Sequence, residues 1–143
     1  LIPEFLAKAQ ENLQDAERAL EEGRYNASAN RAYYAAFQAA IAALTQENII
    51  HEKNPHSWVQ AQFSERLIKA RKYYPAKLAS HLLERLIKAR KYYPAKLASH
   101  LLDMQKVRDK ADYKPIMTNQ QTAKKQIQQS REFLSYIFSR LQP

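Results

Sequence analysis

A single glycine, Gly23, serves a chain of 143 residues. It falls where a helix C-terminus needs a left-handed residue, so the chain reverses there, and no other position offers that conformation so cheaply. Long runs of Ala, Leu, Lys, Glu and Gln, broken by six prolines, favour helices joined by short connections. The chain reads as an all-α bundle in one domain over residues 1–143, and 45% hydrophobic content is enough for one continuous core.

Periodicity places the helices. Phe5, Leu6, Ala9, Leu13, Ala16 and Leu20 make a stripe over residues 3–22, with Pro3 in the first turn. Asn26 or Ser28 is expected to cap a second helix running to about Asn48. Ala32, Tyr33, Ala36, Phe37, Ala40, Ile41 and Leu44 form its broad apolar face, and its nine alanines let another helix approach closely. With no charge between Arg31 and Glu47, it should be the most buried helix, packed on the first helix and on a second copy of the chain. A third helix is expected from His56 through Trp58, Val59, Phe63, Leu67 and Ile68. The last spans about Asn119 to Leu141, capped by Thr118 or Asn119, with Ile127, Phe133, Leu134, Ile137, Phe138 and Leu141 inward.

Residues 65–83 recur without a change at residues 84–102. A single perfect tandem pair inside a non-repeating chain is a recent or engineered duplication, not a solenoid. The junction creates a new amphipathic segment over residues 75–91, carrying Leu78, Ala79, Leu82, Leu83, Leu86 and Ile87, and an added helix is expected there. A shift of 19 residues would rotate a continuous helix by about 100°, and Pro75 and Pro94 oppose such continuity anyway. Each copy also sets five Lys or Arg beside a Tyr-Tyr pair, at Tyr73-Tyr74 and Tyr92-Tyr93. Basic and aromatic groups interleaved in this way can hold RNA, but cations and tyrosines at a helix end more often pin a turn.

The residues that carry chemistry are gathered in Met104–Tyr113, reading MQKVRDKADY. On a helix, Arg108 and Asp112 sit one turn apart, with Asp109 and Tyr113 on a second ridge beside them. Pro115 pushes Lys114 out of helical geometry, which leaves Tyr113 at the helix end, where a side chain can face a cleft. Arg108 could clamp a phosphate bidentately. It could equally form an intrahelical pair with Asp112, contributing about 0.3–0.5 kcal/mol.

Charge points the same way. The formal charge of +9 favours an anionic partner such as RNA, DNA or nucleotide phosphates, although one copy of the repeat supplies four of those charges. The chain has no cysteine, which excludes disulfides and thiolate chemistry and fits a reducing cytoplasm. The longest apolar run, Ala32–Leu44, is too short to cross a bilayer, and no secretory signal is visible, so a cytoplasmic protein without membrane contact is expected. His51 and His56 lie five apart across Pro55, a spacing that does not suit a metal. Neither metal nor cofactor is expected.

Two segments, YNASANRAYYAAFQAA at 25–40 and VRDKADYKP at 107–115, together resemble the HEPN (higher eukaryotes and prokaryotes nucleotide-binding) domain family. Within it the chain looks most like the branch with an Arg-x-x-Ala-Asp-Tyr signature. The likeness runs from about Phe5 to Leu141, apart from one copy of the repeat. It implies an antiparallel up-and-down bundle of four to five helices, here with one extra helix from the duplication. It further implies a homodimer with the signature helices lining a cleft between protomers. Many HEPN proteins are metal-independent ribonucleases, often toxins paired with a minimal nucleotidyltransferase, and use an Arg followed after four to six residues by His.

Carried onto this chain, the resemblance assigns the arginine to Arg108 and the adjoining polar residue to Asp109. The histidine position holds Tyr113, and no histidine follows Arg108. An unperturbed tyrosine, titrating near about 10, exchanges protons poorly at neutral pH. The expected site is therefore Arg108 as phosphate ligand, with Asp109 and Tyr113 as its catalytic companions and Asp112 orienting the arginine. His100, eight residues before Arg108, could reach it only obliquely and reads as a core or surface residue. The rival expectation is a non-catalytic interaction module in which Arg108 and the aspartates brace the bundle.

Overall fold

The computed structural model describes residues 1–47, 56–63, 93–115 and 117–141. These form five helices and no strand: α1 (Ile2–Glu21), α2 (Tyr25–Gln46), α3 (His56–Gln62), α4 (Lys96–Tyr113) and α5 (Gln120–Leu141). The protein is an all-α helical bundle, as its composition predicts. The added helix expected over residues 75–91, the first copy of the repeat, and Leu67 and Ile68 lie outside the described residues. The second copy's tail enters α4, whose Leu97 and Leu101 are core residues.

The reversal at Gly23 follows from its backbone. With φ at 75° it ends α1, its N–H bonding Leu20 O while the Arg24 N–H reaches back to Ala19 O at 2.8 Å. That pair of bonds satisfies the last carbonyls of α1 and sends α2 back along it. The caps expected for α2 are not used. The helix starts after Arg24 without a side-chain cap, because Asn26 and Ser28 already lie in its first turn and bond elsewhere. Ser28 Oγ donates to Ala16 O at 2.8 Å, tying α2 to α1, and Asn26 Oδ1 accepts from the Thr118 N–H at 2.8 Å, tying it to the α4–α5 connection. Asn119 does cap α5, accepting from the Thr122 N–H at 2.8 Å.

α2 is the axis of the bundle and touches each of the other four helices. Thirteen of its 22 residues are buried, eight of them alanines, so backbones approach and the serine bonds become possible. Ser130 Oγ of α5 donates to Ala32 O at 2.8 Å in the interior. At the other end of the core, Phe63 packs its ring 5.1 Å from Phe133 and 5.5 Å from Tyr93. Tyr93 is buried, which excludes it from stacking on a base and makes it part of the core. Of the other tandem tyrosines, Tyr73, Tyr74 and Tyr92 lie outside the described residues.

Candidate phosphate-binding site

Leu97, Leu101 and Met104 of α4 face the core at spacings of four and three, and Arg108 continues that stripe one turn on. The helix therefore delivers a guanidinium to the edge of the core. Only 12% of the side chain is exposed, so it needs partners there.

The partners come from two helices. Arg108 Nη2 donates to Tyr34 Oη on α2 at 2.9 Å, and Nη1 donates to Asp109 Oδ1 at 3.2 Å. Nε lies 3.0 Å from Asp112 Oδ2, near enough to pair in charge but not aligned to donate, so its proton has no acceptor among the described residues. Three phenol rings surround the guanidinium, with centroids at 5.8 Å for Tyr33, 5.2 Å for Tyr34 and 5.6 Å for Tyr113. Burial works against the charge, but Tyr34, Asp112, Tyr113 and Asp109 outweigh it and hold Arg108 above its ordinary range.

A second arginine joins through α2. Asn30 Nδ2 donates to Asp112 Oδ2 at 2.9 Å, and Asn30 Oδ1 accepts from Arg31 Nε at 2.9 Å. Arg31 Nη1 donates to Asn12 Oδ1 of α1 at 3.1 Å, and its guanidinium lies 4.9 Å from the Tyr34 centroid. Both arginines thus rest on one ring. Beneath them Tyr33 is pushed up to about 12 by burial, so it stays a neutral donor across the physiological range.

α4 ends at Tyr113, with Lys114 extended (φ −115°, ψ 148°) ahead of Pro115 as the sequence predicts. Tyr113 is 72% exposed. The structure so brings together Arg108, Asp109, Asp112 and Tyr113. His100 is engaged elsewhere: its Nε2 lies 3.3 Å from Glu132 Oε2 on α5, a carboxylate that also pairs with Lys96. Among the described residues no group of His, Asp and Glu could hold a metal. His51 and the His56 side chain lie outside them.

The HEPN domain family model matches residues 2–141. The chain belongs to the HEPN family. Both halves of the site, Tyr34 on α2 and Arg108 on α4, fall inside the matched HEPN span. No curated protein matches the chain.

Tyr34, Asn30 and Arg31 are the site residues that the sequence reading passed over. Asn30, Arg31 and Tyr34 form a ridge along α2, next to the alanine face and offset from it. A polar ridge bordering an otherwise apolar helix was the available signal. As a chemical device, the cluster offers one guanidinium held by rings and carboxylates, a second whose partners among the described residues are neutral, and an open phenol.

Proposed function

We propose that this HEPN chain binds nucleotide or RNA phosphates at the Arg108 cluster, at a cleft between two copies of the chain, as the toxin-like partner of a minimal nucleotidyltransferase in a toxin–antitoxin or defence pair. The observation that supports this most is the placement of two guanidiniums on one ring, Arg31 at 4.9 Å and Arg108 at 5.2 Å from Tyr34. Among the described residues Arg31 meets asparagine oxygens and the Tyr34 ring and pairs with no carboxylate, so a phosphate held by Arg31 and Arg108 is favoured. Arg108 holds the phosphate, Asp112 and Asp109 fix its orientation, and exposed Tyr113 is free to stack on a base, donate a hydrogen bond or be modified by the partner. If RNA is cleaved, Arg108 steadies the phosphate while Asp109 and Tyr113 flank it without the usual histidine, and no metal is needed.

A second reading has its own support. An arginine only 12% exposed that already meets Asp109, Asp112 and Tyr34 is also a brace between α4 and α2, suited to a non-catalytic interaction module. Incubation of labelled single-stranded RNA with the full chain and with Arg108→Ala, with and without chelator, separates these. Cleavage that survives chelator and vanishes in the variant identifies a metal-free ribonuclease. RNA bound intact by the parent alone identifies a binding protein, and no binding at all leaves the bracing role.

A further inference from the structure

A groove between the second half of α1 and the first turns of α2 opens beside this site. It encloses about 380 Å³ and is lined by Asp15, Arg18, Arg24, Asn30 and Arg31, with Ala19 and Ala27. Three arginines face one carboxylate. Their convergence follows from the Gly23 turn, which folds α2 back so that Arg24 sits over the end of α1, and from a seven-residue spacing that puts Arg31 on the same side of α2 as Arg24.

None of the three is strongly neutralised. Among the described residues Arg18 has no ion-pair partner, and Arg31 hydrogen-bonds to Asn12 and Asn30 and rests on the Tyr34 ring without a carboxylate. Arg24 donates to Glu22 Oε2 from Nη2 at 2.9 Å and from Nε at 3.0 Å, but both side chains are at least half exposed, at 58% and 50%, so solvent weakens the pair and a phosphate can compete for the arginine. The start of α2, which has no side-chain cap, adds its dipole to the positive field.

The groove and the Arg108 cluster share two adjacent residues. Asn30 lines it and also donates to Asp112, the ion partner of Arg108. Arg31 lines it and shares the Tyr34 ring with Arg108.

We infer that this groove is a second phosphate-holding site, which takes the backbone of a single-stranded RNA running on from the Arg108 cluster. It rests on the proposed phosphate role of Arg108 but is tested separately from it. Among the described residues no aromatic lines the groove, so it supplies affinity that depends on strand length and salt rather than on base identity. Asp15 is the one lining group that opposes a phosphate.

The test uses the full chain and labelled single-stranded RNAs of about 4 and about 16 nucleotides, titrated over a range of salt. Arg18→Ala with Arg24→Ala should weaken the longer RNA about tenfold, leave the shorter one unchanged, and flatten the salt slope by about 1.4, the value for two single-strand contacts. Asp15→Asn should tighten the longer RNA. Lys8→Ala with Lys124→Ala removes the same charge from exposed positions outside the groove and should leave affinity and slope as they were. Circular dichroism checks that each variant is folded.

The inference is overturned if the arginine pair binds both RNAs like the parent, or if the lysine pair loses as much as the arginine pair. Loss in the arginine pair with full binding by Arg108→Ala keeps the groove and removes the Arg108 assignment. A parent chain that binds neither RNA removes both.

Discussion

Arg108 Nη2 meets Tyr34 Oη at 2.9 Å across the packed faces of α4 and α2, although the two residues lie 74 positions apart. The bond ties the polar end of α4 to the most buried helix of the bundle, and the same tyrosine ring carries Arg31. Tyr34 is thus the joint between the scaffold and the cationic surface.

Tyr34→Phe keeps the ring and removes the acceptor, so it should cost about 1 kcal/mol of stability. Combined with Arg108→Lys it should show a coupling of about 0.5–3 kcal/mol in a double-mutant cycle read by urea unfolding. A coupling near zero would mean that the contact does not hold the two helices.

Gly23 tests the turn. A Cβ there meets nothing within 4 Å, so the cost of Gly23→Ala is backbone strain alone at φ 75°. It should be about 1–2 kcal/mol, the penalty for a left-handed residue with a side chain. Gly23→Asn should cost less, because Asn tolerates that region. Equal urea midpoints for Ala and Gly would contradict the assigned turn.

The alanine face of α2 makes an opposite kind of demand. Ala36 is fully buried on the face of α2 that packs against the core, so Ala36→Leu should cost about 1–3 kcal/mol by overpacking. Ala7 on the open side of α1 should accept leucine within about 0.5 kcal/mol. Thermal melts of the two variants distinguish a packed seam from a helix that is merely rich in alanine.

How far the sequence could be read depended on range. The stripes of α1, α2 and α5 were legible because each is periodic within itself, and Gly23 and Asn119 act on bonds a few residues away. Asn26 and Ser28 misled as caps because their partners, Thr118 and Ala16, belong to other elements. Arg108, Asp109, Asp112 and Tyr113 were visible as a group because one helix turn and a half holds them all. Tyr34, Asn30 and Arg31 were not, since only the packing of α2 on α4 brings them to the arginine.

Burial of Tyr33 gives a signature in alkali. Its phenol is pushed up to about 12 by burial, and that of Tyr93 is raised further for the same reason. The folded state then keeps protons that the unfolded state releases near about 10, so stability should fall as pH rises between about 10 and 12. Tyrosinate absorbance should show late-titrating phenols in the folded chain, with one fewer in Tyr33→Phe. A late phase unaltered by Tyr33→Phe would contradict the assignment.

The central claim is that Arg108 holds a phosphate, and equilibrium binding of labelled single-stranded RNA to the parent chain, Arg108→Lys and Arg108→Ala tests it most directly, with a thermal melt of each. Arg108→Ala should remain folded and lose roughly ten- to a hundredfold in affinity, matching charge-assisted bonds of about 1.5–3 kcal/mol. Arg108→Lys should recover part of that loss, since it keeps the charge but not the fork of donors. RNA binding by Arg108→Ala equal to that of the parent, with a lowered melting temperature, would contradict the claim and leave Arg108 as a brace.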